Sequence, residues 1–160
     1  MDFLNAAPED EIWLQDEHWQ EMLADVMARA PEEACGLVAG LSGKSQRVFR
    51  LTNVLHSKTG YQMDPKEQLE AFQEIDKRGW NLLAIYHSHP AGPPGPSPTD
   101  VERATYPMVI YLVWSGDAGG WRLQGYSIRS GEVKEVQVYR EYSSPHANPV
   151  YKRRNKSENE

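Results

Sequence analysis

One cysteine in 160 residues leaves Cys35 without a disulfide partner and leaves no set of thiolates for a zinc finger or an iron–sulfur centre. A reducing cytoplasm is the compartment that fits this usage. Positive charge is also short: 17 Lys and Arg against 23 Asp and Glu give a net charge of -6, which disfavours a nucleic-acid binder that works by neutralising phosphates. Long apolar runs are missing. The longest, Met108 to Trp114, falls far below the roughly 20 residues that span a bilayer, so no membrane partner is expected. Met1 to Glu11 is acidic and lacks a basic n-region, so no secretion signal is expected either.

What is present suits one globular domain, with 39% hydrophobic and 25% charged residues. Ile12-Trp13-Leu14 reads as a brief strand, and Asp16 stands where a helix N-cap belongs. Trp19, Met22, Leu23, Val26 and Met27 recur at helical spacing and predict one buried stripe, ended by Pro31. Leu37 to Ala39 and Val48 to Val54 read as strands around a Gly40 to Gly43 turn. Asp64-Pro65-Lys66-Glu67 is a strong helix start, with Leu69, Phe72 and Ile75 as its inner face and Gly79 as its close. Leu82 to Tyr86 has the unbroken apolar character of a central strand covered on both faces. Pro90 to Pro98 is a stiff loop, and Ser97-Pro98-Thr99-Asp100 starts a short helix that Pro107 ends. Met108 to Trp114, Trp121 to Ile128 and Val133 to Tyr139 follow as strands. Residues 1–11 read as a flexible N-terminus, 12–143 as one domain and 144–160 as a disordered polar tail with a surplus of basic residues. The pattern is that of an α+β or α/β single domain.

The chemistry concentrates at His87-Ser88-His89-Pro90, Ser97 and Asp100. Alternate side chains of an extended segment project to one side, so His87 and His89 can present two imidazoles to one point at the end of the central strand. The stiff loop can return the Asp100 carboxylate to that point. Two histidines and one carboxylate with a position to spare is the donor set of a catalytic zinc site; a structural site fills all four positions. The plainer account of the same residues is surface alternation for the histidines and a capping box for Ser97 and Asp100.

Glu32-Glu33-Ala34-Cys35-Gly36-Leu37, His87-Ser88-His89-Pro90, Ser97 and Asp100 together resemble the JAMM (MPN-plus) zinc metallopeptidase family. Asn53-Val54, Tyr61-Gln62-Met63-Asp64-Pro65 and Tyr86 resemble its compact prokaryotic branch, similar to the sulfur-carrier-cysteine peptidases, so the likeness runs from Ile12 to Tyr139. The resemblance implies an α/β sandwich with a mixed central sheet flanked by helices, cytidine-deaminase-like in fold. It implies one Zn2+ held by His87, His89 and Asp100, with water as the fourth ligand and nucleophile. Glu33 is then the general base and acid, and Ser97 a donor to the reacting oxygen.

The implied reaction is hydrolysis of an amide bond at the C-terminal tail of a ubiquitin-like or sulfur-carrier β-grasp protein ending in Gly-Gly. That tail is expected to pair with an exposed strand edge. A homodimer is the default assembly. The rivals are a metal-free MPN scaffold that only binds partners and a general small-peptide metallopeptidase. A zinc deaminase needs a Pro-Cys-x-x-Cys pair, which one cysteine excludes. Cys35 reads as a buried apolar residue and His56 as a loop residue outside any ligand spacing.

Overall fold

The apolar run at Leu82 becomes the middle of the molecule. In the computed structural model, which describes residues 10–143 and the backbone of 153–156, this run belongs to β4 (Asn81–His89), flanked by β2 (Cys35–Leu41) and β5 (Ile110–Asp117). The other elements are β1 (Glu11–Gln15), α1 (Asp16–Arg29), β3 (Lys44–Leu51), α2 (Pro65–Lys77), α3 (Pro98–Arg103), β6 (Gly120–Arg129), β7 (Glu132–Tyr142) and β8 (Arg153–Lys156). The strand order is β1-β3-β2-β4-β5-β6-β7-β8. β4 and β5 run parallel, which requires the crossover that carries α3.

The mixed sheet with helices on it matches the expected class, but the sheet is not an open layer of a sandwich. β1 pairs in parallel with β7 over Glu11–Gln15 and touches β3 at Trp13 opposite Lys44, so seven strands close into a barrel-like ring. β4 is paired on both edges as far as His87, opposite Cys35 and Val113, and with β5 alone at His89.

Each face of the central strands is buried under its own helix. Trp19, Met22 and Val26 of α1 pack with Val38, Ala84, Tyr86, Leu112 and Trp114, while Ala71 and Ile75 of α2 pack with Leu37, Phe49, Leu82, Ile85 and Tyr111. β2 is consequently buried on both sides as far as Gly40, as the unbroken apolar stretch demands. At Gly36 a Cβ would collide with the Phe49 carbonyl oxygen and the Tyr86 ring. The phenol that crosses this glycine donates to the buried Asp25 carboxylate of α1 at 2.7 Å.

Local expectations fail where a side chain has a better long-range partner or none. Asp16 does not cap α1, since Gln15 holds the N-cap position without a side-chain bond and Asp16 takes the Arg140 guanidinium at 2.8 Å. Met27 and Leu69 leave the predicted stripes and are each 56% exposed, because α1 and α2 meet the sheet on narrower faces. α3 stops at Arg103, well before Pro107. No helix among the described residues is long and apolar enough to cross a membrane. The expected flexible start and polar tail lie outside the described residues, apart from Asp10, Glu11 and the 153–156 segment, which pairs antiparallel with Tyr139–Tyr142 of β7.

Candidate metal centre

β4 extends past the apolar run and ends on the two histidines, so both are held by strand pairing: His87 lies opposite Cys35 on β2 and Val113 on β5. The proline-rich loop that follows turns at once, with the Gly92 N–H donating to the His89 carbonyl at 2.9 Å. α3 then opens with a capping box. Ser97 Oγ accepts from the Asp100 N–H at 3.1 Å, and Asp100 Oδ2 accepts from the Ser97 N–H at 2.8 Å. The box therefore aims the carboxylate rather than competing with a role for it.

Three atoms converge. His87 Nε2 and His89 Nε2 lie 3.1 Å apart, and Asp100 Oδ2 is 3.0 Å from the first and 3.1 Å from the second. Ligand atoms about 2.0 Å from a tetrahedral zinc are separated by roughly 3.3 Å, so this triangle is close to one face of such a site. The His89 ring sits 2.9 Å from the Pro93 carbonyl through Nδ1, an arrangement that makes Nδ1 the donor and leaves the Nε2 lone pair pointing inward. Two imidazole nitrogens and a carboxylate oxygen at these separations fit a divalent cation, and they fit zinc by donor type.

Glu33 stands beside this triangle. It is 4% exposed, and one of its carboxylate oxygens lies within 4.8 Å of ligand atoms of both histidines. Its Oε1 is buried with no hydrogen-bond partner among the described residues. Burial pushes the Glu33 carboxyl up to about 7, against the pull of His89 and with the push of Asp100. Burial acts to raise Asp100 as well, but hydrogen bonds to His87 and His89 outweigh it and hold that carboxyl far below its ordinary value. Glu32, by contrast, faces outward to His56 at 3.4 Å, which places His56 away from the centre.

Three residues to which the sequence assigned no role hold these groups in place. Asn53, 2% exposed, uses its whole carboxamide: Nδ2 donates to the Glu33 and Gly60 carbonyls at 3.0 Å each, and Oδ1 accepts from the Leu55 and Gln62 N–H groups at 3.1 Å each. Ser88, between the histidines, accepts the Ala34 N–H at 2.7 Å. Tyr61 stacks on the His87 ring with centroids 4.7 Å apart. In the chain these residues stand out only as part of the family resemblance; the contacts they make become visible once the strands are paired. Cys35 is fully buried and burial pushes its thiol up to about 12, so it is no nucleophile.

A cleft of about 220 Å³ opens on the Asp100 and Tyr61 side of the centre. It runs between the segment before α2 and helix α3.

The chain matches the family described as prokaryotic homologs of the JAB domain over residues 15–129. A CysO-cysteine peptidase of Mycobacterium tuberculosis is 38% identical over 120 residues, covering 73% of this chain and 82% of that protein. A probable TtuB-protein conjugate cleaving protease of Thermus thermophilus is 43% identical over 99 residues, which cover 61% of this chain and 66% of the relative. A protein of Desulfitobacterium hafniense solved in solution has the same fold, with a TM-score of 0.74 and 34% identity, covering 84% of this chain and 96% of its own. With a match that takes in β2, β4 and the converging His87, His89 and Asp100, the chain belongs to the prokaryotic JAB-domain family.

Proposed function

We propose that the protein is a zinc-dependent peptidase that hydrolyses the amide bond at the C-terminal tail of a ubiquitin-like or sulfur-carrier β-grasp protein ending in Gly-Gly. The observation that carries this reading is the convergence of His87 Nε2, His89 Nε2 and Asp100 Oδ2 with a buried carboxyl beside them. The two relatives above, named for cleaving CysO-cysteine and TtuB-protein conjugates, point to the same substrate class.

His87, His89 and Asp100 would hold the ion. When bound, zinc supplies a Lewis acid that makes water a usable nucleophile near neutral pH. Glu33 takes the proton of the attacking water and returns it to the leaving amine, a task suited to a carboxyl that burial has moved towards neutrality. Ser97 Oγ already accepts from the Asp100 N–H, so its own hydrogen is left to donate to the reacting oxygen. The Glu33 N–H donates to the Ser57 carbonyl and its carbonyl accepts from Asn53, so the main chain from which the carboxyl projects is held on both sides.

The test is incubation of the zinc-loaded protein with a Gly-Gly-tailed carrier adduct, followed by mass spectrometry. Loss of the adduct is expected from the wild type. Glu33→Gln is expected to retain zinc and lose turnover, and full activity in that metal-loaded variant overturns the assignment of the base.

A further inference from the structure

We propose that Arg103 reads an acidic side chain on the acyl side of the scissile bond, so that the preferred tail carries Glu or Asp immediately before its two terminal glycines. This rests on the peptidase reading above.

Among the described residues, Asp100 and Arg103 are the only charged side chains that line the cleft beside the centre. The Oδ2 of Asp100 is committed to His87, His89 and the Ser97 N–H. Arg103 has no hydrogen-bond or ion-pair partner among the described residues. Arg29, Arg47, Arg50, Arg78 and Arg140 each lie within ion-pair distance of a carboxylate, whereas Arg103, Arg122 and Arg129 have no such partner among the described residues, and of these three only Arg103 lines the cleft. An unpaired guanidinium at the rim of a cleft, in a chain of net charge -6, is a local positive point that matches a carboxylate. Gln62 and Gln68 on the facing wall add neutral donors to the same space.

Which side of the substrate enters follows from the base. The leaving amine must lie at Glu33 to receive its proton, and neither Glu33 nor His89 lines the cleft, whereas Asp100 and Tyr61 do. The cleft therefore flanks the centre away from the leaving group and takes the acyl side. Arg103 is one helical turn beyond Asp100, about 5–6 Å between Cβ atoms. An extended tail advances roughly 3.3 Å per residue, so two glycines span about the same distance and put the third side chain within reach of Arg103.

The experiment measures binding of amidated peptides ending Xaa-Gly-Gly, with Xaa as Glu, Gln or Lys, to the zinc-loaded protein by fluorescence anisotropy. Cleavage of the matching carrier–cysteine adducts is measured in parallel. Arg103 is exposed, so its replacement leaves the core untouched. Glu is expected to exceed Gln about tenfold in both assays, as one charge-assisted pair allows. Arg103→Ala should level the series and Arg103→Glu should turn it towards Lys. Equal use of the three tails by the wild type overturns the proposal. So does an equal loss on every tail in Arg103→Ala, or an Arg103-dependent preference for a cysteine over a cysteinamide leaving group. Tail preference in binding without cleavage of any adduct keeps the Arg103 assignment and removes the peptidase reading; cleavage without tail preference does the reverse.

Discussion

Asn53 holds the Glu33 carbonyl at 3.0 Å from a position 20 residues further along the chain, and the same carboxamide nitrogen holds Gly60 on the wall of the cleft. One side chain thus joins the backbone of the proposed base to the segment that lines the cleft. Asn53→Ala leaves two carbonyls and two N–H groups without this partner, and is expected to cost about 1–3 kcal/mol in urea unfolding. Its effect on kcat should exceed its effect on KM, with zinc content unchanged. A loss confined to KM places the role of Asn53 in the cleft alone.

Metal should be visible in stability as well as in activity. A ligand present at 100 times its Kd adds about 2.7 kcal/mol, which for a domain of this size is roughly 5–10 °C in Tm. Zinc added to chelator-treated protein is expected to give such a rise. Asp100→Asn keeps an acceptor for the Ser97 N–H but removes the charge, and should shrink the rise to less than half. An undiminished rise in that variant means the ion sits elsewhere.

His18 gives an independent pH response on the opposite face of the sheet. The Ser45 hydroxyl, which accepts the Gln15 N–H at 2.9 Å, lies 2.7 Å from His18 Nδ1 and ties the ring into the buried side of α1. Burial lowers the His18 value from 6.5, against the opposing pull of Glu17 and Glu21. The unfolded chain then binds the proton more readily, and stability should fall as pH drops below about 6.5. Denaturant titrations at pH 7.5 and 5.5 should show a smaller difference for His18→Gln than for the wild type. An equal difference removes His18 from the cause.

Gly36→Ala tests the crossing of Tyr86 over β2. With Phe49 and Tyr86 already in the space of a Cβ, the substitution should cost about 1–3 kcal/mol or displace the phenol from Asp25. A wild-type urea midpoint shows that the sheet opens there at no cost.

The strands, the two cap signals at Asp64 and Ser97 and the pairing of His87 with His89 were legible in the chain because each rests on neighbours a few residues apart. Asp64 does accept from the Lys66 and Glu67 N–H groups at 2.9 and 3.3 Å, and Ser97 closes its box. Asp16 gives no cap because Arg140, 124 positions away, takes its carboxylate. Leu69 and Met27 stay exposed because helical spacing marks a face without telling how wide the sheet beneath it is. Ser88 and Asn53 look like ordinary strand and loop polar residues until β2 lies against β4. Arg103 is equally silent, since a missing ion-pair partner can be seen only in three dimensions.

The ring closes through five residues of β1 laid parallel against β7, with Asp16 on Arg140 and Lys44 on Glu141 bracing it. The first strand can find this partner only after nearly the whole domain has left the ribosome. Such non-local pairing slows folding and makes the final step cooperative. A nascent chain shortened before Glu132 keeps its histidines yet leaves β1 and β6 without their closing strand, and a released fragment of that kind would be a substrate for quality control rather than a smaller enzyme.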